Sequence, residues 1–266
     1  MLIRNRSPLF ILDLPILSQF HRIIVIGDLH GDYCSFTQVE AMFNSTRDML
    51  LFLGDYGDRG SKSIEVIRGV KNLQDKYPKQ VLALMGNHED YTNNGRPKFS
   101  PCTLIDDVRA QQQSWERYFR GVLLPFLQCL YLSVLIPNHV LFVHGGVSSQ
   151  IMNKKNLLSP SQKVVEDILW SDPVNSEGEY PNPRGAGVKF GRDISQLVCR
   201  HLGISKIVRA HDPRIVLDGP CIQHNGRVIT VNSSSVYGGR PFVLVLPSKH
   251  ISQALMNIDS HTRYLG

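Results

Sequence analysis

The stretch Met49-Leu50-Leu51-Phe52-Leu53-Gly54-Asp55-Tyr56-Gly57-Asp58-Arg59-Gly60 decides the fold. Its apolar half predicts a buried strand over Met49 to Leu53. Its polar half places two aspartates and an arginine among glycines, which permit a tight loop and close backbone approach. Ser61 to Tyr77 then reads as an amphipathic helix, with Ile64, Val66, Ile67, Val70 and Leu73 on its apolar face and Pro78 as its stop. The same grammar recurs on either side. Arg22 to Ile26 ends at Gly27-Asp28-Leu29-His30-Gly31, with a helix predicted around Ser35 to Ser45. Gln80 to Met85 ends at Gly86-Asn87-His88-Glu89-Asp90, and Val140 to Val143 ends at His144-Gly145-Gly146. Such alternation indicates parallel βαβ units whose polar residues gather outside the carboxyl ends of the strands.

The rest of the chain frames these motifs. Asn93-Asn94-Gly95-Arg96-Pro97 breaks the rhythm, and Ala110 to Leu127 reads as largely helical, so residues 95–130 are expected as a helical insertion beside the site. Val134 to Ile136 is another predicted strand, Lys163 to Trp170 a helix, and Val174 to Gly187 a surface loop rich in Pro, Gly and Asn. Toward the C-terminus the pattern looks antiparallel. Cys221 to His224 and Arg227 to Val231 flank the hairpin dipeptide Asn225-Gly226, and Pro241 to Leu246 adds a strand. Met1 to Phe20 is read as a strand or arm packed on the domain, because Asp13 and Pro15 interrupt its apolar run. One catalytic domain over residues 1–266 is expected.

Composition sets outer limits. Hydrophobic content of 42% and charged content of 20% are ordinary for a water-soluble globular chain. No apolar run reaches the roughly 18 residues of a membrane span. Five scattered cysteines, none in a C-x-x-C pair, argue for reduced thiols and a cytoplasmic location, with secretion or delivery into a host left open. The formal net charge of +6 carries no run of like charges and no nucleic-acid motif, so no nucleic-acid partner is expected. A modest positive field suits phosphorylated substrates equally well.

Asp, Asn and His ligands converging from neighbouring strand ends read as a two-metal hydrolase site. Hydrolysing a phosphate ester at neutral pH needs a nucleophile better than water and neutralisation of the phosphoryl charge. Two divalent ions about 3.5–4 Å apart supply both. Here the motifs resemble the phosphoprotein phosphatase family of serine/threonine phosphatases and the related diadenosine tetraphosphatases. The resemblance runs from about Arg22 to about Val245 and includes Leu169-Trp170-Ser171-Asp172-Pro173 and Arg209-Ala210-His211-Asp212. It implies an α/β metallophosphoesterase fold, a βαβαβ sandwich of two mixed sheets flanked by helices.

Residue by residue, the resemblance implies that Asp28, His30 and Asp55 hold one ion, while Asp55, Asn87, His144 and His211 hold the other. The ions would be manganese, with iron or zinc tolerated by the same ligands. It also implies His88 as general acid with Asp58 as its orienting partner. Arg59, Arg184, Asn87 and Tyr237 would bind the substrate phosphate, with Asp172 supporting the centre from behind. The implied activity is hydrolysis of phosphoserine, phosphothreonine or phosphotyrosine in proteins or peptides by a monomeric enzyme, through a water bridging the ions. Hydrolysis of a dinucleoside polyphosphate is the alternative. Gly57, Met85, Ser148-Ser149 and Arg240 depart from the eukaryotic pattern and suggest a bacterial-like or divergent branch.

Overall fold

The computed structural model describes residues 6–266, so the first five residues of the expected N-terminal arm lie outside the described residues. Strand β1 (Leu9–Ile11) and the helical turn α1 (Leu14–Leu17) open the described chain. Then come β2 (Arg22–Ile26), α2 (Tyr33–Met42), β3 (Asp48–Phe52), α3 (Ser63–Lys76) and β4 (Val81–Ala83). These are the two expected βαβ units, with β2, β3 and β4 paired in parallel. The insertion follows as α4 (Leu104–Ala110), α5 (Trp115–Tyr118), a π-helical turn over Phe119–Leu123 and α6 (Leu124–Gln128). The second half runs through β5 (Ser133–Ile136), β6 (Val140–Val143), α7 (Lys154–Leu158), α8 (Gln162–Trp170), β7 (Asp172–Pro173), β8 (Glu179–Pro181) and β9 (Val188–Phe190). It ends with α9 (Arg192–Leu202), β10 (Lys206–Arg209), β11 (Cys221–Gln223), β12 (Val228–Thr230), β13 (Phe242–Pro247), α10 (Ile251–Met256) and β14 (Thr262–Tyr264).

Two sheets carry the fold. One has the order β1-β5-β6-β10-β12-β11 and the other β14-β13-β2-β3-β4, with a small third sheet β7-β9-β8 beside them. Both large sheets are mixed: β13 runs antiparallel to β2, and β5 antiparallel to β6, while β6, β10 and β12 are parallel. This is the expected sandwich, and strand periodicity explains it. Ile23, Val25, Met49 and Leu51 point inward against Val134, Phe142, Val208 and Ile229 of the facing sheet. Their alternates Ile24, Ile26, Leu50 and Phe52 point outward and pack under Phe36 and Val39 of α2 and Ile64, Ile67 and Val70 of α3. Strands buried on both faces are continuous apolar runs.

The insertion is helical but differently cut. It starts earlier, at Leu104, and breaks after Ala110, where Gln112 takes a positive φ of 58°. The segment 174–187 is not wholly loop: Glu179–Pro181 pairs with β9, and Asn182 is buried. The antiparallel reading of the C-terminal part holds for the β11–β12 hairpin and for β13 and β14, and β12 pairs in addition in parallel with β10. Among the described residues no helix is long and apolar enough to cross a membrane.

Candidate active site

All four glycine-flanked motifs come to the carboxyl ends of β2, β3, β4 and β6, and His211 joins them just beyond β10. The loops meet so closely that a Cβ at Gly54 would sit 2.5 Å from Gly86 N, and one at Gly86 would sit 2.1 Å from Asp55 Oδ1. His30, Asp55, Asp58, Arg59 and His211 all adopt positive φ, between 46° and 72°. Left-handed backbone at non-glycine residues costs on the order of 1–3 kcal/mol each and persists only where the surroundings impose it.

The imposed geometry concentrates lone pairs. His30 donates from Nδ1 to Gly57 O at 2.9 Å, and His144 donates from Nδ1 to Leu53 O at 2.9 Å. Burial holds both imidazoles neutral, lowering His30 to about 3 and His144 well below its ordinary value. Each Nε2 is therefore an unprotonated acceptor. Yet His30 Nε2 lies 3.4 Å from Asp55 Oδ2, while His144 Nε2 lies 3.4 Å from Asp55 Oδ1 and 3.0 Å from Asn87 Oδ1. Asn87 Oδ1 also accepts from His211 Nδ1 at 2.8 Å. Asp28 Oδ2 and His211 Nε2 are buried without a hydrogen-bond partner. Acceptors facing acceptors in a dry pocket are unfavourable unless something electropositive lies between them. The mixed carboxylate, amide and imidazole set fits divalent cations, so these residues fit the group the sequence implied. Two clusters could each hold an ion, one formed by His30, Asp55 and His88 and the other by Asp55, His144 and His211.

Electrostatics reinforce that reading. Burial, joined by neighbouring carboxylates, pushes Asp55 well above its ordinary value. Asp28 is raised to about 7, again chiefly by burial. Like charges crowded out of water resist ionisation, and a bound cation removes that resistance.

Toward solvent, a cavity of about 150 Å³ is lined by His30, Asp55, Arg59, Asn87, His88, Arg184, His211 and Tyr237, together with Asp212, Pro213 and Arg214. His88 Nδ1 is 2.7 Å from Asp58 Oδ2. Burial alone would raise Asp58, but the His88 hydrogen bond and charge, with the Leu104 N–H at 2.8 Å, hold it below its ordinary value. Arg184 donates from Nε to Asp172 Oδ2 at 2.9 Å. The other oxygen of Asp172 accepts from the fully buried Arg209 at 3.0 Å. The Tyr237 ring packs edge-on to His30 at 5.5 Å, and a hydrogen bond from Arg59 opposes the burial that raises its phenol. Every residue given a ligand, proton-transfer or phosphate role in the sequence thus lines this cavity or contacts a residue that does.

Three residues with structural roles there were not singled out. Glu89 accepts backbone N–H groups from Asp55 at 2.8 Å, Tyr56 at 3.1 Å and Gly86 at 2.9 Å, tying two ligand loops together. Arg209 braces Asp172. Asp32 caps α2 through Ser35 N–H and also accepts from Ser235 N–H at 2.8 Å, anchoring the loop that carries Tyr237. The available signal was proximity: each lies within two residues of a predicted ligand in sequence.

Residues 21–214 match the calcineurin-like phosphoesterase family. The chain belongs to that family. A serine/threonine-protein phosphatase of Caenorhabditis elegans is 33% identical over 221 residues, 80% of this chain and 47% of that protein. Serine/threonine-protein phosphatase T of Aspergillus oryzae is 30% identical over 233 residues, 83% of this chain and 47% of that protein. The chain thus spans about half the length of the curated relatives it matches. A protein serine/threonine phosphatase structure from Saccharomyces cerevisiae superposes with a TM-score of 0.80 at 25% identity, covering 99% of this chain and 84% of that one.

Proposed function

We propose that this calcineurin-like phosphoesterase is a metal-dependent phosphatase that hydrolyses phosphomonoesters in proteins. Phosphoserine and phosphothreonine would be the default substrates, with phosphotyrosine accessible. One observation carries the reading: the His88–Asp58 pair stands at the wall of a cavity that also holds Arg59, Arg184 and the convergent ligand atoms. The residues that would hold two divalent ions, manganese by preference, are Asp28, His30, Asp55, Asn87, His144 and His211. Such ions supply an activated water as nucleophile and neutralise phosphoryl charge.

The chain's own residues do the rest. Arg59 and Arg184 orient the phosphoryl oxygens through planar, multi-donor guanidinium groups. Tyr237 and the Asn87 side chain complete the oxygen contacts. Asp172 keeps Arg184 extended toward the cavity, and Arg209 keeps Asp172 ionised. His88 has Nδ1 committed to Asp58, which leaves Nε2 to deliver a proton to the departing alkoxide.

The test offers purified protein, with and without Mn²⁺, phosphoserine, phosphothreonine and phosphotyrosine peptides beside diadenosine tetraphosphate. Metal-dependent release of inorganic phosphate from the peptides is expected. Metal-loaded protein that turns over none of the four would sink the proposal. Cleavage of diadenosine tetraphosphate alone would replace it with nucleotide anhydride hydrolysis.

A further inference from the structure

Past His88 the phosphate cavity opens into a groove of about 610 Å³. Arg59, His88 and Arg184 border both spaces, whereas Lys98, Phe99 and Trp170 belong to the groove alone. Among the described residues no carboxylate lines it.

Lys98 and Phe99 reach this place on a pinned hairpin. Tyr91 pairs antiparallel with Pro97, Thr92 N–H donates to Arg96 O at 2.8 Å, and Lys98 N–H donates to Asp90 O at 2.9 Å. Beneath the turn, Trp115 Nε1–H donates to Gly95 O at 3.0 Å. Tyr91 packs among Phe99, Trp115 and Phe119, so the helical insertion fixes the hairpin. The Phe99 ring lies 4.5 Å from the His88 ring. Lys98 Nζ is 2.9 Å from Asp90 Oδ1, and Asp90 is not among the residues that line the groove.

We propose that this groove takes the peptide flanking the phosphorylated residue and selects an acidic side chain there, with Lys98 as the specificity-determining residue. The inference rests on the phosphopeptide reading above. If His88 protonates the leaving oxygen, the chain attached to that oxygen must leave past His88, where the groove begins. Its volume is in the usual range of ligand pockets, about 300–1,000 Å³, and holds a few residues. Phe99 and Trp170 offer apolar walls to a flanking side chain. Arg59, Arg184 and Lys98, the last partly offset by its ion pair with Asp90, line the groove with no carboxylate among the lining residues, so they attract an acidic residue and repel a basic one.

The experiment measures binding of non-hydrolysable phosphonate peptides with Glu, Ala or Lys beside the phosphoresidue. It uses the full chain loaded with Mn²⁺ and fluorescence anisotropy as the readout. The quantity compared is the ratio of Kd values between peptides within one variant. Glu peptides are expected to bind about threefold to fivefold more tightly than Ala peptides, as an exposed ion pair allows. Lys98→Gln should erase that ratio, Lys98→Glu should invert it, and Asp90→Asn, which frees the Lys98 ammonium, should increase it. Melting curves confirm that each variant is folded. A ratio near one in the unaltered protein, or one that ignores all three substitutions, overturns the inference. Turnover of a small aryl phosphate, measured alongside, tests the phosphatase reading separately. Turnover without an acidic preference defeats only the specificity claim.

Discussion

The ligand cradle and the groove beside it meet at His88 but are built in opposite ways. In the cradle, Asp28, His30, Asp55, Asn87, His144 and His211 are at most 4% exposed, and each sits at or just beyond a strand end. Its backbone is forced into left-handed conformations, and its polar atoms face one another without enough donors. In the groove, Lys98 lies on a hairpin and Arg184 on a loop, both partly open to water. The sandwich holds the cradle; an insertion and one hairpin hold the groove. Chemistry that must not vary is placed on the sheets, and recognition that can vary is placed on what the sheets support.

The comparison breaks most easily at the shared residue. His88→Ala should lose about 10²- to 10⁴-fold in kcat on an alkyl phosphoester while keeping its bound metal, measured by steady-state kinetics and metal analysis. Loss of metal together with activity would show His88 to be part of the cradle rather than its border. Glu89→Gln tests the clamp between the ligand loops. One of three backbone donors then loses its acceptor, at a cost of about 1–3 kcal/mol. A fall in melting temperature of several degrees is expected. An unchanged melting temperature would mean that the loops hold their shape unaided.

Metal removal should expose the charge crowding. Burial raises the folded-state values of Asp28 and Glu89 to about 7, far above unfolded carboxylates. The contribution of these two carboxylates therefore falls as pH rises between about pH 4.5 and pH 7, whereas His30, His144 and His211, held neutral by burial, bind fewer protons than unfolded histidines below about pH 6.5 and contribute in the opposite direction. Each such group contributes a slope of up to about 1.4 kcal/mol per pH unit. Asp58 and Asp172 are held below their ordinary values, so their contribution is present above about pH 4 and is lost as pH falls further. In denaturant melts of chelated protein, Asp28→Asn should therefore remove part of the stability loss that the raised carboxylates add between pH 5 and pH 8, and Mn²⁺ should do the same in the unaltered protein. An Asp28→Asn variant with the same pH profile as the unaltered chelated protein would contradict the crowding. The smallest effect is expected in the groove wall. Phe99→Leu should cost less than about 1.5 kcal/mol and leave metal content unchanged, by thermal melt and metal analysis.

The same contrast explains what the sequence let through. β2, β3 and α3 were legible because continuous apolar runs and a clean helical stripe report burial directly. The cradle was legible because each ligand stands next to the glycine that lets its loop turn. The strands of the β7-β9-β8 sheet are two or three residues long, too short to show periodicity, so segment 174–187 read as loop. The anchoring of Tyr237 by Asp32 spans 203 residues and leaves no local trace. Lys98 went unnoticed because nothing in its neighbourhood says which wall the hairpin faces.

The cradle's six residues run from Asp28 to His211, and the two large sheets contribute to it from opposite halves of the chain. A ribosome that has released only the first half of the chain has released Asp28, His30, Asp55 and Asn87, which lack the imidazoles of His144 and His211. Closure of the site therefore waits for His211, and until it is made the carboxylates of Asp28 and Asp55 lack an imidazole that the folded cradle sets among them.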